Sequence, residues 1–160
     1  MTPKEYYSWD LIDVACRDIY KDIRSDNWQP DLVIGLTRGG LIPATILSHR
    51  FDVPMDTIKI SLRDHISKGG TYYKDYGVPQ ANILIVDDIN DTGATILRLK
   101  EIWEHNLFTD WSKVWHKTVR FATIVDNASS QSRVDYRYTT INKADKDVWI
   151  VYPWESFIIE

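Results

Sequence analysis

Cysteine is nearly absent from this chain. Cys16 stands alone, so no internal disulfide can staple the fold, and a reducing, cytoplasmic setting fits. Long apolar runs are missing too. No segment approaches the roughly 20 apolar residues that a bilayer span requires, and Met1 to Asp10 lacks the apolar stretch of a secretory leader. Positive charge is not in excess. Nineteen Lys and Arg stand against 23 Asp and Glu, a net charge of −4, which argues against a protein that coats nucleic acid. Glycine is scarce, at seven residues. Neither Gly-x-Gly-x-x-Gly nor Gly-x-x-x-x-Gly-Lys-Ser/Thr occurs, so dinucleotide and P-loop fingerprints are excluded. The four histidines show no metal-ligand spacing, and zinc is not indicated.

What is present suits one enzyme-sized domain over residues 1–160, large enough to bury a core unaided. Seven tryptophans and nine tyrosines belong mainly to core or interface and identify no ligand by themselves. Trp9, Ile12, Cys16, Ile19 and Ile23 recur at helical spacing behind a Ser8 N-cap. Asp31–Leu36 is a nearly continuous apolar run, as in a buried parallel strand. Thr37-Arg38-Gly39-Gly40 breaks it, and Leu41–Phe51 reads as a helix with Pro43 in its first turn. Further strands are expected at Met55–Leu62, Asn82–Val86, Val119–Val125, Tyr136–Thr140 and Val148–Tyr152, with a helix from the Gly93 region to about His105. The polar stretch Arg63–Gln80 is long for a connection, and such loops are usually functional or disordered. Strands alternating with helices predict an α/β fold with a mainly parallel sheet.

The chemistry concentrates in Ile83-Leu-Ile-Val-Asp87-Asp88-Ile-Asn-Asp91-Thr92-Gly93-Ala94-Thr95. Ligands of open α/β sheets bind at the carboxyl ends of strands. Two adjacent carboxylates there repel each other unless a cation or hydroxyl donors are near. Ribose hydroxyls and a hydrated Mg²⁺ supply both. The small-residue turn Asp91–Thr95 then opens a helix, where converging N–H groups and the helix dipole favour an anion. Carboxylates for a sugar or metal, followed by an amide nest for phosphate, describe a phosphorylated ribose. The bland alternative is a solvated strand end followed by a capped helix.

This segment resembles the motif by which type I phosphoribosyltransferases bind phosphoribosyl pyrophosphate (PRPP). Within that family the chain is similar to the bacterial xanthine-guanine (hypoxanthine) group. The likeness extends over Ser8-Trp-Asp10, Thr37–Gly40, Ser61-Leu-Arg-Asp-His65, Thr123-Ile124 and Trp149-Ile-Val-Tyr-Pro-Trp-Glu155. The resemblance implies a central parallel sheet flanked by helices under a small C-terminal hood, Mg²⁺ as cofactor, PRPP and a purine base as substrates, purine salvage, and a homodimer or tetramer. It gives Asp87 and Asp88 to the ribose hydroxyls, with Asp88 nearer the metal. Asp91, Thr92, Gly93, Ala94 and Thr95 go to the 5′-phosphate, and Asp91 is also the general base near purine N7. Thr37, Arg38 and Gly39 go to pyrophosphate. Lys68 goes to pyrophosphate as well, from a loop that also holds Arg63 and Lys74 and matches the family's mobile cover over the site. Trp149 is the stacking platform and the backbone of Ile150 reads the base edge.

Two positions depart from the pattern, and one is Arg63, which stands where the family usually has an aromatic residue. Family members usually carry a lysine for the purine 6-oxo group where this chain has Asn127, which is expected to bind the base by turning its amide N–H₂ toward that group, although the amide can equally accept. Lys117 and Lys143 are too distant in sequence to be obvious substitutes. Three readings stay open on the sequence: a purine phosphoribosyltransferase, a phosphoribosyltransferase for another base, and a PRPP-sensing regulator on the same fold. The regulator would ordinarily carry a nucleic-acid-binding region, and no basic cluster supplies one.

Overall fold

A computed structural model describes residues 1–60, 81–106 and 109–158. The elements are β1 (Lys4–Tyr6), α1 (Trp9–Ser25), β2 (Leu32–Thr37), α2 (Leu41–Phe51), β3 (Met55–Lys59), β4 (Ile83–Asn90), α3 (Ala94–Asn106), β5 (Val119–Asn127), β6 (Tyr136–Ile141) and β7 (Trp149–Val151), with short 3₁₀ turns at Trp111–Lys113 and Pro153–Ile158. The expected residues Ser61 to Gln80, Lys68 among them, lie outside the described residues.

The main sheet has strand order β3-β2-β4-β5-β6, and every neighbouring pair is parallel. Its strands are apolar on both faces because helices cover both. One core joins Ile12, Cys16, Ile19 and Ile23 of α1 and Ala44 and Leu47 of α2 to Val33, Leu84 and Ile124 of the sheet. The other joins Ile96, Leu99 and Trp103 of α3 to Ile34, Ile83, Ile85 and Phe121. Each fully buried aliphatic side chain is worth about 1.5–3 kcal/mol. The Ser8 cap, whose Oγ accepts from Leu11 N–H at 3.1 Å, adds about 1 kcal/mol. Packing therefore dominates the stability of α1, and the cap fixes its start. Trp9 departs from the expected inward face, being 55% exposed and set against Trp154.

Two corrections bear on function. The hood is built from both ends of the chain, because β1 pairs with β7 in a separate two-stranded parallel sheet. In addition, β4 does not stop at Val86 but continues to Asn90, so Asp87 and Asp88 sit on the strand. They can, because β2 and β4 part company there. The last β2–β4 partners are Gly35 and Val86, whereas β4 stays paired with β5 as far as Asn90 and Asp126. From β2 the chain order runs outward to β3, and from β4 it runs the other way to β5 and β6. That reversal opens a crevice at the carboxyl ends of β2 and β4.

Candidate active site

Asp87 and Asp88 project from the free edge of β4 into this crevice. Each Oδ1 accepts the next N–H along, Asp88 N–H at 2.9 Å and Ile89 N–H at 2.8 Å. Burial pushes both carboxyls above the ordinary carboxylate range, and for Asp87 the neighbouring charge of Asp88 adds to it. The free protein thus holds two acids where at least one resists ionising. A cation or a pair of hydroxyls would relieve that cost. Among the described residues no group of three His, Cys, Asp or Glu side chains could hold a metal alone. The donor set fits Mg²⁺ that keeps water and substrate oxygens and takes one or two carboxylates from the protein.

The acid pair carries a stability prediction. A carboxyl raised on folding stabilises least above its raised value, since the native state must then ionise a buried group or hold its proton against the pH. Asp87→Asn mimics the neutral form at every pH and can still accept from Asp88 N–H. Thermal scans of the ligand-free protein near pH 8 should show Asp87→Asn melting higher by about 2 °C or more, the shift made by roughly 1 kcal/mol in a domain of this size. The difference should shrink as pH falls toward the ordinary carboxylate range. An unchanged or lower melting temperature at pH 8 would mean the pair is not strained.

Asp88 lies between two cavities. One, of 320 Å³, is lined by Asp87 to Ile96 and Thr123. Gly93 has φ +88°, a conformation that side chains resist, and a Cβ there would stand 2.6 Å from Ser132 N. The turn is braced from behind. Gln131 N–H donates to Thr92 C=O at 2.9 Å, Ser132 Oγ donates to Gly93 C=O at 2.8 Å, and Leu97 N–H also takes Gly93 C=O at 3.1 Å. The N–H groups of Thr95 and Ile96, in the first turn of α3, have no intrahelical carbonyl within reach, and both residues line the cavity. Thr123 Oγ1, opposite Asp87 in register, is buried without a hydrogen-bond partner. A buried hydroxyl without a partner suits an oxygen-rich ligand. Thr123 belongs to the family likeness read from sequence but had no role there, and the serine brace was not singled out. The Ala-Ser-Ser-Gln-Ser run at 128–132 was the available signal.

The second cavity, of 570 Å³, is lined by Arg38, Gly39, Asp88, Trp149, Trp154 and Glu155, with Lys4 and Val151 completing it. A Cβ at Gly39 would fall 2.2 Å from Asp88 Oδ2, so any larger residue there would have to displace the Asp88 carboxylate. The Thr37–Gly40 turn is thereby pressed onto the acid pair, with Arg38 exposed at the opening. The peptide bond between Thr37 and Arg38 is cis. Trp149 is 58% exposed, a platform rather than a core residue. In β7, Trp149 N–H donates to Pro3 C=O and Val151 C=O accepts from Tyr7 N–H. Parallel alternation then turns the N–H and C=O of Ile150 away from β1, while its side chain is buried. The hood is tied to the acids by Tyr152, whose hydroxyl donates to Asp88 C=O at 3.0 Å. Lys4 and Glu155 had no role from sequence. A three-residue strand such as β1 has too little pattern to be read.

Asp91 is held from two sides. Asn127 Nδ2 donates to Asp91 C=O at 3.0 Å and approaches its Oδ1 at 3.3 Å. Asn127 Oδ1 accepts from Ser129 Oγ at 2.9 Å and from Lys143 N–H at 3.1 Å. Asn127 was expected to turn its amide N–H₂ toward the purine 6-oxo group; instead buried Asn127 gives that amide to Asp91. Lys143, set aside as too distant in sequence, places Nζ 3.0 Å from Asp91 Oδ2.

The comparisons agree with this geometry. Residues 3–156 match the family model described as phosphoribosyl transferase domain. Xanthine-guanine phosphoribosyltransferase of Cereibacter sphaeroides is 30% identical over 94% of this chain and 86% of its own. The crystal structure of purine phosphoribosyltransferase from Pyrococcus horikoshii superposes with TM-score 0.71 at 26% identity, over 95% of this chain and 94% of that one. Helicobacter pylori xanthine-guanine-hypoxanthine phosphoribosyltransferase shares the fold at TM-score 0.71 and 18% identity, over 99% and 96%.

Proposed function

The chain belongs to the phosphoribosyl transferase domain family, and from that premise we propose that residues 1–160 act as a single purine phosphoribosyltransferase domain. The reaction joins the 5-phosphoribosyl group of PRPP to guanine, xanthine or hypoxanthine, giving a nucleoside monophosphate and pyrophosphate in purine salvage. The observation that carries the reading is the crevice itself. An acid pair, an amide nest and an arginine–glycine turn converge there, beside an exposed indole.

Each role follows from chemistry. Asp87 and Asp88 accept from the ribose 2′- and 3′-hydroxyls, and Asp88, shared by both cavities, would hold Mg²⁺. Bound there, Mg²⁺ would supply charge neutralisation to pyrophosphate as a leaving group. Thr92, Gly93, Ala94 and Thr95 surround the 5′-phosphate. Thr37, Arg38 and Gly39 receive pyrophosphate, Arg38 meeting the charge that develops on it. We also assign Lys68 to pyrophosphate, on the family resemblance. Trp149 stacks on the base, at about 1–3 kcal/mol, and the outward backbone of Ile150 reads its edge. As base N9 bonds to ribose C1′, the C1′–O bond to pyrophosphate breaks and the electron pair leaves with that oxygen. Asp91 takes the proton the base gives up, and Asn127 orients Asp91 for the transfer. No helix of the described residues is long and apolar enough to cross a membrane. A cytoplasmic site of action is supported by the buried, unpaired Cys16. A dimer or tetramer is supported by the family and by exposed Tyr6, Trp9 and Leu97.

An equimolar mixture of guanine, xanthine, hypoxanthine, adenine, uracil and orotate tests the acceptor. With PRPP and Mg²⁺, mass spectrometry should find the three 6-oxopurine nucleotides well ahead of the rest. A preference for adenine or a pyrimidine would overturn the acceptor class and leave the donor standing.

A further inference from the structure

We propose that Lys143, from the turn after β6, is the residue that makes this site select a 6-oxo over a 6-amino purine. The inference rests on the purine reading above. It begins from the register of β5 and β6. Asn127 pairs with Ile141, and Ala128 N–H donates to Ile141 C=O at 2.8 Å, so the chain leaving β6 passes beside the end of β5. The Asn127 amide joins the two segments, accepting from Lys143 N–H while donating to Asp91. The Lys143 side chain then reaches Asp91, with Nζ 3.0 Å from Oδ2 and 19% of the side chain exposed. Among the described residues Lys143 is the cation in ion-pair contact with Asp91. The nearby Arg137 is engaged with Asp126, and Asp126 also accepts from Asn90.

The consequence comes from purine geometry. N7 and the substituent on C6 share one edge of the ring: guanine presents two acceptors there, and adenine an acceptor and a donor. If Asp91 works at N7, a donor 3.0 Å from its Oδ2 stands beside the C6 substituent. An ammonium has three donors and no acceptor. It can satisfy Asp91 and a 6-oxo oxygen together, and it opposes a 6-amino group, which presents hydrogens to it. It also favours negative charge building on the 6-oxo oxygen as the base loses its proton. Asn127 holds acid and ammonium in register, so selectivity is built from two neighbouring strands.

The test compares wild type, Lys143→Met and Lys143→Arg with hypoxanthine and adenine at saturating Mg²⁺-PRPP. Calorimetric Mg²⁺-PRPP affinity reports on folding and on the donor site. Lys143→Met should bind Mg²⁺-PRPP within about twofold of wild type. Its preference in kcat/KM for hypoxanthine over adenine should fall by about 10–100-fold, the discrimination typical of one good base-edge contact. Lys143→Arg should keep most of the preference, because it restores a cationic donor. A role confined to stability would lower the yield or melting temperature of Lys143→Met without altering the ratio. An unchanged ratio in Lys143→Met, with wild type active on hypoxanthine, would overturn the inference alone. A wild type that binds Mg²⁺-PRPP but converts no purine would remove the acceptor reading, and this inference with it.

Discussion

Asp91→Asn is expected to lower turnover by about 10²–10⁴, the usual contribution of a positioned general base, while Mg²⁺-PRPP affinity changes by only a few-fold. The separation follows from how Asp91 is held. The phosphate turn owes its shape to Gly93 and to the bonds from Gln131, Ser132 and Leu97 onto the carbonyls of Thr92 and Gly93. The Asp91 side chain makes none of these. Its partners are Asn127 and Lys143 on the opposite side. An asparagine can still accept from either, and the backbone bond from Asn127 is unaffected, so the turn should survive. What is lost is the ability to take a proton. Single-turnover kinetics with preformed enzyme–PRPP complex would separate the two effects. A substitution that abolished PRPP binding and left the rate of the bound complex intact would assign Asp91 to the phosphate turn, with the proton acceptor elsewhere.

Asp88→Asn should act on binding first. Its carboxylate lines both cavities and lies against Gly39, so on the proposed reading one group would serve ribose, metal and the pyrophosphate turn. Asparagine preserves the bond from Ile89 N–H and the shape, and removes the charge. Contacts to a charged group are worth about 1.5–3 kcal/mol each, and losing the metal's anchor as well should weaken Mg²⁺-PRPP binding by about 10²-fold or more. Calorimetry with Mg²⁺ and with excess chelator should give distinct affinities for wild type and nearly equal ones for Asp88→Asn. Wild-type affinity that was indifferent to chelator would detach the metal from this site.

Much of this site was legible because its signals are local. Asp87 to Thr95 follow an apolar strand directly, and strand, acids, turn and helix are contiguous in the chain. The four inward residues of α1 and the Ser8 cap were readable for the same reason. What escaped depends on contacts between distant segments. Strand β1 exists only because β7 lies beside it, and three residues carry no periodicity of their own. The extension of β4 to Asn90 follows from pairing with β5 after β2 has ended, and acids seldom signal a strand interior. Lys143 is 52 residues from Asp91 in sequence, and the β5–β6 register brings them together. Aligning one position to one position suggested that Asn127 had replaced a cation. In the fold both reach Asp91, Asn127 through its amide from the end of β5 and Lys143 through its ammonium from the turn after β6.

The central claim is phosphoribosyl transfer from PRPP to a purine, and one reaction tests it directly. Purified protein is incubated with PRPP, hypoxanthine and Mg²⁺, and nucleoside monophosphate and pyrophosphate are quantified together. Equal amounts of both should form, with neither product when Mg²⁺ is chelated and both reduced together by about 10²-fold or more when Asp91→Asn is assayed over the same interval. Pyrophosphate released without any nucleotide, or no product from hypoxanthine, guanine or xanthine by a protein that binds PRPP, would contradict the account.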